Sequence, residues 1–71
     1  MPVEVKAPMQ GDILEILVKP GDSVETDDEL IIMEAMKIEN PIYSPSGGTV
    51  SEILVKEKDS VEAEQTLLIL E

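Results

Sequence analysis

A single lysine, Lys37, carries most of the chemistry this sequence can offer. It is the only basic residue between Lys19 and Lys56, in the segment Met33-Glu34-Ala35-Met36-Lys37-Ile38-Glu39-Asn40. A primary amine is almost wholly protonated at neutral pH and is a poor nucleophile as it stands. Lysines that act as catalysts are desolvated or set beside another cation, whereas Lys37 has the acids Glu34 and Glu39 near it in the chain. The chain has no histidine and no cysteine to serve as base or partner nucleophile. The amine is therefore suited to be a substrate, deprotonated and acylated in another enzyme's active site. A lysine in a surface turn is ordinarily just solvated. What singles this one out is its isolation from other cations and its place at the joint of an internal repeat.

The repeat appears when the chain is shifted by 37 positions. Gly11-Asp12-Ile13-Leu14-Glu15-Ile16-Leu17-Val18-Lys19 then falls on Gly48-Thr49-Val50-Ser51-Glu52-Ile53-Leu54-Val55-Lys56, and Asp22-Ser23-Val24-Glu25 on Asp59-Ser60-Val61-Glu62. Between Gly11 and Glu34, 13 of 24 positions carry the same residue in both copies. Solenoids need about three or more repeats to bury a continuous core, so two copies in a short chain predict halves packed about a pseudo-two-fold axis. The segment after Glu34 is then the counterpart of the chain's end after Glu71. On this reading Lys37 projects from one end of the domain and the termini meet at the other.

Seventy-one residues make one domain, which buries roughly 60–65% of its unfolded surface and needs good packing. The core must come from Val, Ile, Leu and Met, since Tyr43 is the only aromatic residue. No disulfide is possible, and the usual nitrogen and sulfur ligands of a structural zinc are missing. The net charge of −11 repels phosphate backbones and anionic lipid, which excludes nucleic-acid and membrane binding as expected roles. The longest apolar runs, Leu30 to Met33 and Leu67 to Leu70, are too short to span a bilayer. No basic segment precedes an apolar stretch near Met1, so no signal peptide is expected. The expected location is cytoplasmic.

The elements that must position Lys37 read as short strands. Ile16 and Val18 share a parity with Leu14, against Glu15 and Lys19; Ile53 and Val55 repeat this against Glu52 and Lys56. This is the period of a half-buried strand. Lys19-Pro20-Gly21-Asp22 predicts a tight turn with Gly21 at positive φ, and Ser44-Pro45-Ser46-Gly47-Gly48 another turn. Asp28 to Lys37 is rich in helix formers. Its counterpart Thr66-Leu67-Leu68-Ile69-Leu70-Glu71, however, has the look of a buried strand, and Pro41 disfavours helix at Asn40. Strand–turn–strand is therefore expected, with the turn around Ala35 to Lys37. The fold class expected is all-β, a small sandwich or barrel.

Glu34-Ala35-Met36-Lys37 resembles the biotin-attachment motif, Ala-Met-Lys-Met, of biotin-dependent carboxylases and decarboxylases. Ala7-Pro8-Met9-Gln10-Gly11 is similar to that family's opening Ala-Pro-Met-Pro-Gly. Val18-Lys19-Pro20-Gly21-Asp22-Ser23-Val24 resembles its first turn, and Ser46-Gly47-Gly48-Thr49-Val50 its second-half opening. The resemblance implies a flattened β-barrel or sandwich of two four-stranded antiparallel sheets, with the attachment lysine on a tight hairpin. It also implies one carrier domain over residues 1–71, with halves about 5–34 and 42–71 and the hairpin about 33–40. Lys37 would carry covalent biotin, loaded by biotin protein ligase from an adenylate. Carboxybiotin would then shuttle between biotin carboxylase and a carboxyltransferase or decarboxylase, the chain itself being no enzyme. Glu34, Ala35, Met36 and Ile38 match the residues around the attachment lysine; each has an ordinary alternative role, in packing, turn fitting or solvation, beside recognition by the ligase.

The chain departs from the pattern in places. Ile38 stands for the second Met, Gln10 for a Pro, Asp27-Asp28 where a Gly is frequent, and Glu57-Lys58 for the Pro-Gly of the first copy. Lys58 is accordingly expected at a positive φ that glycine adopts more cheaply. No thumb-like insertion interrupts the first half. Two alternatives are kept: a lipoyl carrier, whose lysine usually follows Asp and precedes Ala, and an unmodified acidic interaction module.

Overall fold

Aliphatic residues at alternate positions, punctuated by Pro-, Gly- and Asp-containing turns, give eight strands in the computed structural model, which describes residues 2–71. They are β1 (Val3–Lys6), β2 (Gly11–Ile16), β3 (Ser23–Val24), β4 (Glu29–Ala35), β5 (Ile38–Tyr43), β6 (Gly48–Ile53), β7 (Ser60–Val61) and β8 (Thr66–Leu70). Two four-stranded sheets form, one in the order β1-β8-β6-β3 and the other β5-β4-β2-β7, with every pairing antiparallel. The segment rich in helix formers is strand β4, because burying Leu30, Ile31 and Met33 outweighs a weak local propensity.

The predicted pseudo-two-fold relation holds strand by strand. A shift of 37 residues turns β2, β3 and β4 into β6, β7 and β8, and it turns one sheet order into the other. The hydrogen bonds follow. The Gly21 amide donates to the Val50 carbonyl and the Lys58 amide to the Ile13 carbonyl; the Leu17 amide donates to Leu30 and the Leu54 amide to Leu67. Asp22 and Asp59 each accept, through a side-chain oxygen, the amide of the lysine three residues earlier, at 3.0 and 2.9 Å. The two sheets enclose one aliphatic core, in which Ile13, Leu30, Ile31, Met33, Leu67 and Leu68 are fully buried.

Both turn expectations are met. Gly21 has φ 96° and Lys58 has φ 76°. Their neighbours close the turns, the Asp22 amide donating to the Lys19 carbonyl and the Asp59 amide to the Lys56 carbonyl. Asp27 (φ 72°) and Glu64 (φ 70°) form a second symmetric pair of left-handed residues.

One expectation fails. Leu14 does not share an inward face with Ile16 and Val18; it is exposed. The β2–β4 register shifts between Ile13 and Glu15, where two residues of β2 face one of β4. Such a bulge inverts the facing of every later residue in the strand: Ile13 points in, Leu14 and Glu15 point out, and Ile16 turns back toward the core. The same shift lies between Val50 and Glu52, with Ser51 at the outward position. Regular strand also stops at Ile16, short of Val18.

The lysine hairpin and the paired ends of β1 and β8 lie at opposite ends of a body measuring 32 × 17 × 17 Å, Met1 itself lying outside the described residues. β2 begins beside the hairpin, with Asp12 opposite Glu34. It runs to the turn that leads into β3, which pairs with the start of β6 beside Glu71. At that end β1 and β8 lie side by side, Val3 opposite Leu70. No helix among the described residues is long and apolar enough to cross a membrane.

Candidate functional site

The β4–β5 hairpin is built from a long ladder and a minimal loop. Pairing runs from Glu29–Tyr43 to Ala35–Ile38, and Ile31, Met33, Ala35 and Ile42 fix its inward face in the core. Only Met36 and Lys37 remain to reverse the chain. Both adopt left-handed backbone, φ 54° and 63°, which is the pattern of a type I′ turn, the two-residue loop whose twist matches a hairpin. Such turns favour Asn-Gly, and an ordinary L-residue there costs about 1–2 kcal/mol. The ladder beneath over-determines the conformation. Neither residue is β-branched, which keeps the steric cost near its lower end.

This backbone displays the side chains. Met36 is 86% and Ile38 63% exposed, and Lys37 is exposed between them. Ala35 is buried and belongs to the packing of the hairpin base. Glu34 is half-buried and sits in a row of acids across three strands, with Asp12 on one side and Glu39 on the other. Like charges directly opposite are destabilising, so the row is a local cost that the buried inward face offsets. The Asn40 side-chain Nδ2 donates to the Ile38 carbonyl at 3.0 Å, tying the first residue of β5 to the strand.

The strand beside the hairpin must approach closely. A Cβ placed on Gly11 would overlap the Glu34 carbonyl oxygen and crowd the Met33 side chain. Sequence reasoning singled out neither this contact nor the left-handed Met36–Lys37 pair. The recurrence of glycine at 48 hints at the first, since a Cβ there would lie 2.9 Å from the Glu71 carbonyl. Nothing in the residue types of Met and Lys signals the second.

Around the site the chemistry is sparse. Among the described residues no group of His, Cys, Asp and Glu is placed to hold a metal ion. An open polar depression lined by Gln10, Asp12, Ser60, Glu62 and Gln65 lies along the β2–β7 pairing; its Ser60 hydroxyl donates to Asp12 at 2.7 Å. What remains is a primary amine held clear of the body on a rigid two-residue loop, with no enclosing wall. That arrangement can accept an acyl group from an enzyme that grips the hairpin from both sides. It fits a covalently tethered group such as biotin, because Lys37 is exposed at the hairpin tip between two exposed apolar side chains.

Comparisons with known proteins agree with this geometry. Residues 3–70 match the family described as biotin-requiring enzyme. The chain is 60% identical over 40 residues to the gamma subunit of glutaconyl-CoA decarboxylase from Acidaminococcus fermentans, covering 56% of this chain and 28% of that subunit. It is 56% identical over 36 residues to the biotin carboxyl carrier protein of Streptococcus mutans, covering 51% of this chain and 28% of that protein. The solved urea carboxylase of Kluyveromyces lactis superposes with a TM-score of 0.93 at 31% identity, over 99% of this chain and 6% of that one. The matches thus span only a minor part of these relatives. With the family match running through both repeat halves and the hairpin between them, the chain belongs to the biotin-requiring enzyme family, as a biotin carrier domain.

Proposed function

We propose that Lys37 is the residue on which this domain carries biotin, and that residues 1–71 act as one carrier domain, with halves about 5–34 and 42–71 and the hairpin about 33–40. The observation that carries the reading is the exposed amine on a two-residue loop with left-handed φ at both positions. In a biotin protein ligase the Lys37 ammonium would give up a proton. Its nitrogen would then form an amide bond to the biotin carboxyl carbon as AMP leaves the adenylate. Met36 and Ile38, both apolar and exposed, offer the ligase a grip on either side of the amine, and Glu34 a carboxylate at the loop's base. Ala35 acts through packing.

Biotin, once bound, supplies a ring that carries a carboxyl group from one enzyme to another; the reaction chemistry belongs to the cofactor and the partner enzymes. The protein's part is to raise the effective concentration of that group at two sites in turn. The partners proposed are a biotin carboxylase and a carboxyltransferase or decarboxylase, supported by the relatives' names and by a chain that lacks groups for catalysis of its own. A cytoplasmic location belongs to the same proposal, in keeping with the cysteine-free composition.

Incubation with biotin, MgATP and a purified biotin protein ligase tests the assignment. The intact mass should rise by one biotinyl group, and Lys37→Arg should remain unmodified while unfolding at the wild-type temperature. Modification of Lys37→Arg at another lysine refutes the site. A chain isolated from its native cell with a lipoyl mass, or with no addition in the presence of its ligase, refutes biotin carriage.

A further inference from the structure

Duplication makes each half of this molecule a control for the other, and the outer faces of the two sheets have diverged. On the β1-β8-β6 sheet the outward positions Glu4, Ile69, Ser51 and Lys6 are mostly polar, and Glu4 and Ser51 each hydrogen-bond a neighbouring side chain. The Thr66 hydroxyl donates to Glu4 at 2.7 Å and the Ser51 hydroxyl to Glu71 at 2.9 Å. Their counterparts, 37 residues away in the other copy, are Pro41, Ile32, Leu14 and Tyr43. Ile32 lies opposite Pro41 on one side and Glu15 on the other, and the bulge turns Leu14 outward beside Glu15. The result is an apolar stripe across β5, β4 and β2. Leu14 is 37% and Tyr43 52% exposed, with Ile32 and Pro41 half-buried.

The stripe has a charged border of one sign. Asp12, Glu34 and Glu39 line its hairpin side, while Glu15 lies opposite Ile32 and Glu29 opposite Tyr43 at the ends of its rows. No lysine or arginine occurs in β2, β4 or β5. Both hydroxyl donors of the other sheet are gone here, since Leu14 stands at the position of Ser51, the donor to Glu71, and Glu29 at that of Thr66, the donor to Glu4.

We infer that the outer face of the β5-β4-β2 sheet is a docking surface for a protein patch with an apolar centre and a Lys- and Arg-rich rim, carried by the biotin carboxylase that acts on the loaded hairpin. The inference rests on the carrier reading of Lys37. Charge complementarity selects the occupant. A second copy would set acid against acid. A biotin protein ligase meets the hairpin while its lysine is still cationic, whereas acylation removes that charge and leaves this end uniformly attractive to a basic surface. The face adjoins the arm, so docking there would place the loaded hairpin at the partner's active-site mouth.

The test uses the biotinylated 71-residue chain as substrate for the biotin carboxylase that co-purifies with the native protein, supplied with MgATP and bicarbonate. Two variants borrow residues that the other sheet already accommodates: Leu14→Ser with Pro41→Glu, and Tyr43→Lys as a single change. Each should raise KM for the carrier about tenfold with kcat at saturation nearly unchanged, and raising salt from about 50 to about 300 mM should weaken wild-type docking in the same direction. Glu15→Gln with Glu29→Gln, which leaves the apolar residues intact, should raise KM and flatten that salt dependence. Loading by the ligase serves as the separate control. Unloaded wild-type chain refutes the carrier reading. Full loading with an unchanged KM in these variants overturns the docking surface alone. Sedimentation showing a wild-type dimer that Leu14→Ser dissolves would also overturn it, by assigning the face to self-association.

Discussion

Met36 and Lys37 share an unusual burden, since both hold left-handed backbone without the glycine or asparagine that relieves it. The steric penalty arises at Cβ, and asparagine offsets part of it through local hydrogen bonding. Met36→Asn should therefore raise the free energy of unfolding by about 0.5–1 kcal/mol, read as a higher urea midpoint at unchanged slope. A lower midpoint would mean that Met36 contributes packing which its 86% exposure does not suggest. The position of this turn was legible in the sequence. Pro41 and the repeat both placed a reversal between Ala35 and Lys37. Its conformation was not, because left-handed φ is announced by residue type, and here the ladder from Glu29–Tyr43 to Ala35–Ile38 imposes it on residues chosen for something else.

The turns before β3 and β7 show how a duplicated element ages. Both copies keep the carbonyl-to-amide closure and the aspartate cap, but the first retains Pro20-Gly21 where the second has Glu57-Lys58. Lys58→Gly should stabilise the domain by about 1 kcal/mol, the cost of holding a side chain at φ 76°; thermal unfolding followed by circular dichroism checks it. No gain would show that the added flexibility of the unfolded chain cancels the relief. The strand faces taught a different lesson. Parity reading assumes an unbroken period of two, and a single bulge at Leu14 puts that residue on the outer face while Ile16 and Val18 keep the inward side that parity gave them. The second copy held the clue, for a serine at position 51 does not belong on a buried face. Comparing copies recovers what periodicity alone loses.

Across the whole molecule, sixteen acidic residues face five basic ones around a core with no aromatic side chain. Repulsion among these charges acts on the compact state more than on the expanded one, and added salt screens it over a distance of about 10 Å at 0.1 M. Sodium chloride raised from about 10 mM to about 500 mM should therefore lift the unfolding temperature by about 4–8 °C, the shift that roughly 1 kcal/mol gives in a domain of this size. A falling temperature would mean that the acids are engaged in net favourable contacts. The pseudo-symmetry has one more corollary, a topological one. Two complete periods of 37 residues make a closed loop only three residues longer than the 71 present. Splicing Ala-Met-Lys between Glu71 and Met1 of these 71 residues would join them into a covalent circle of two like halves. On the carrier proposal for Lys37, such a circle would present two lysine tips facing away from each other.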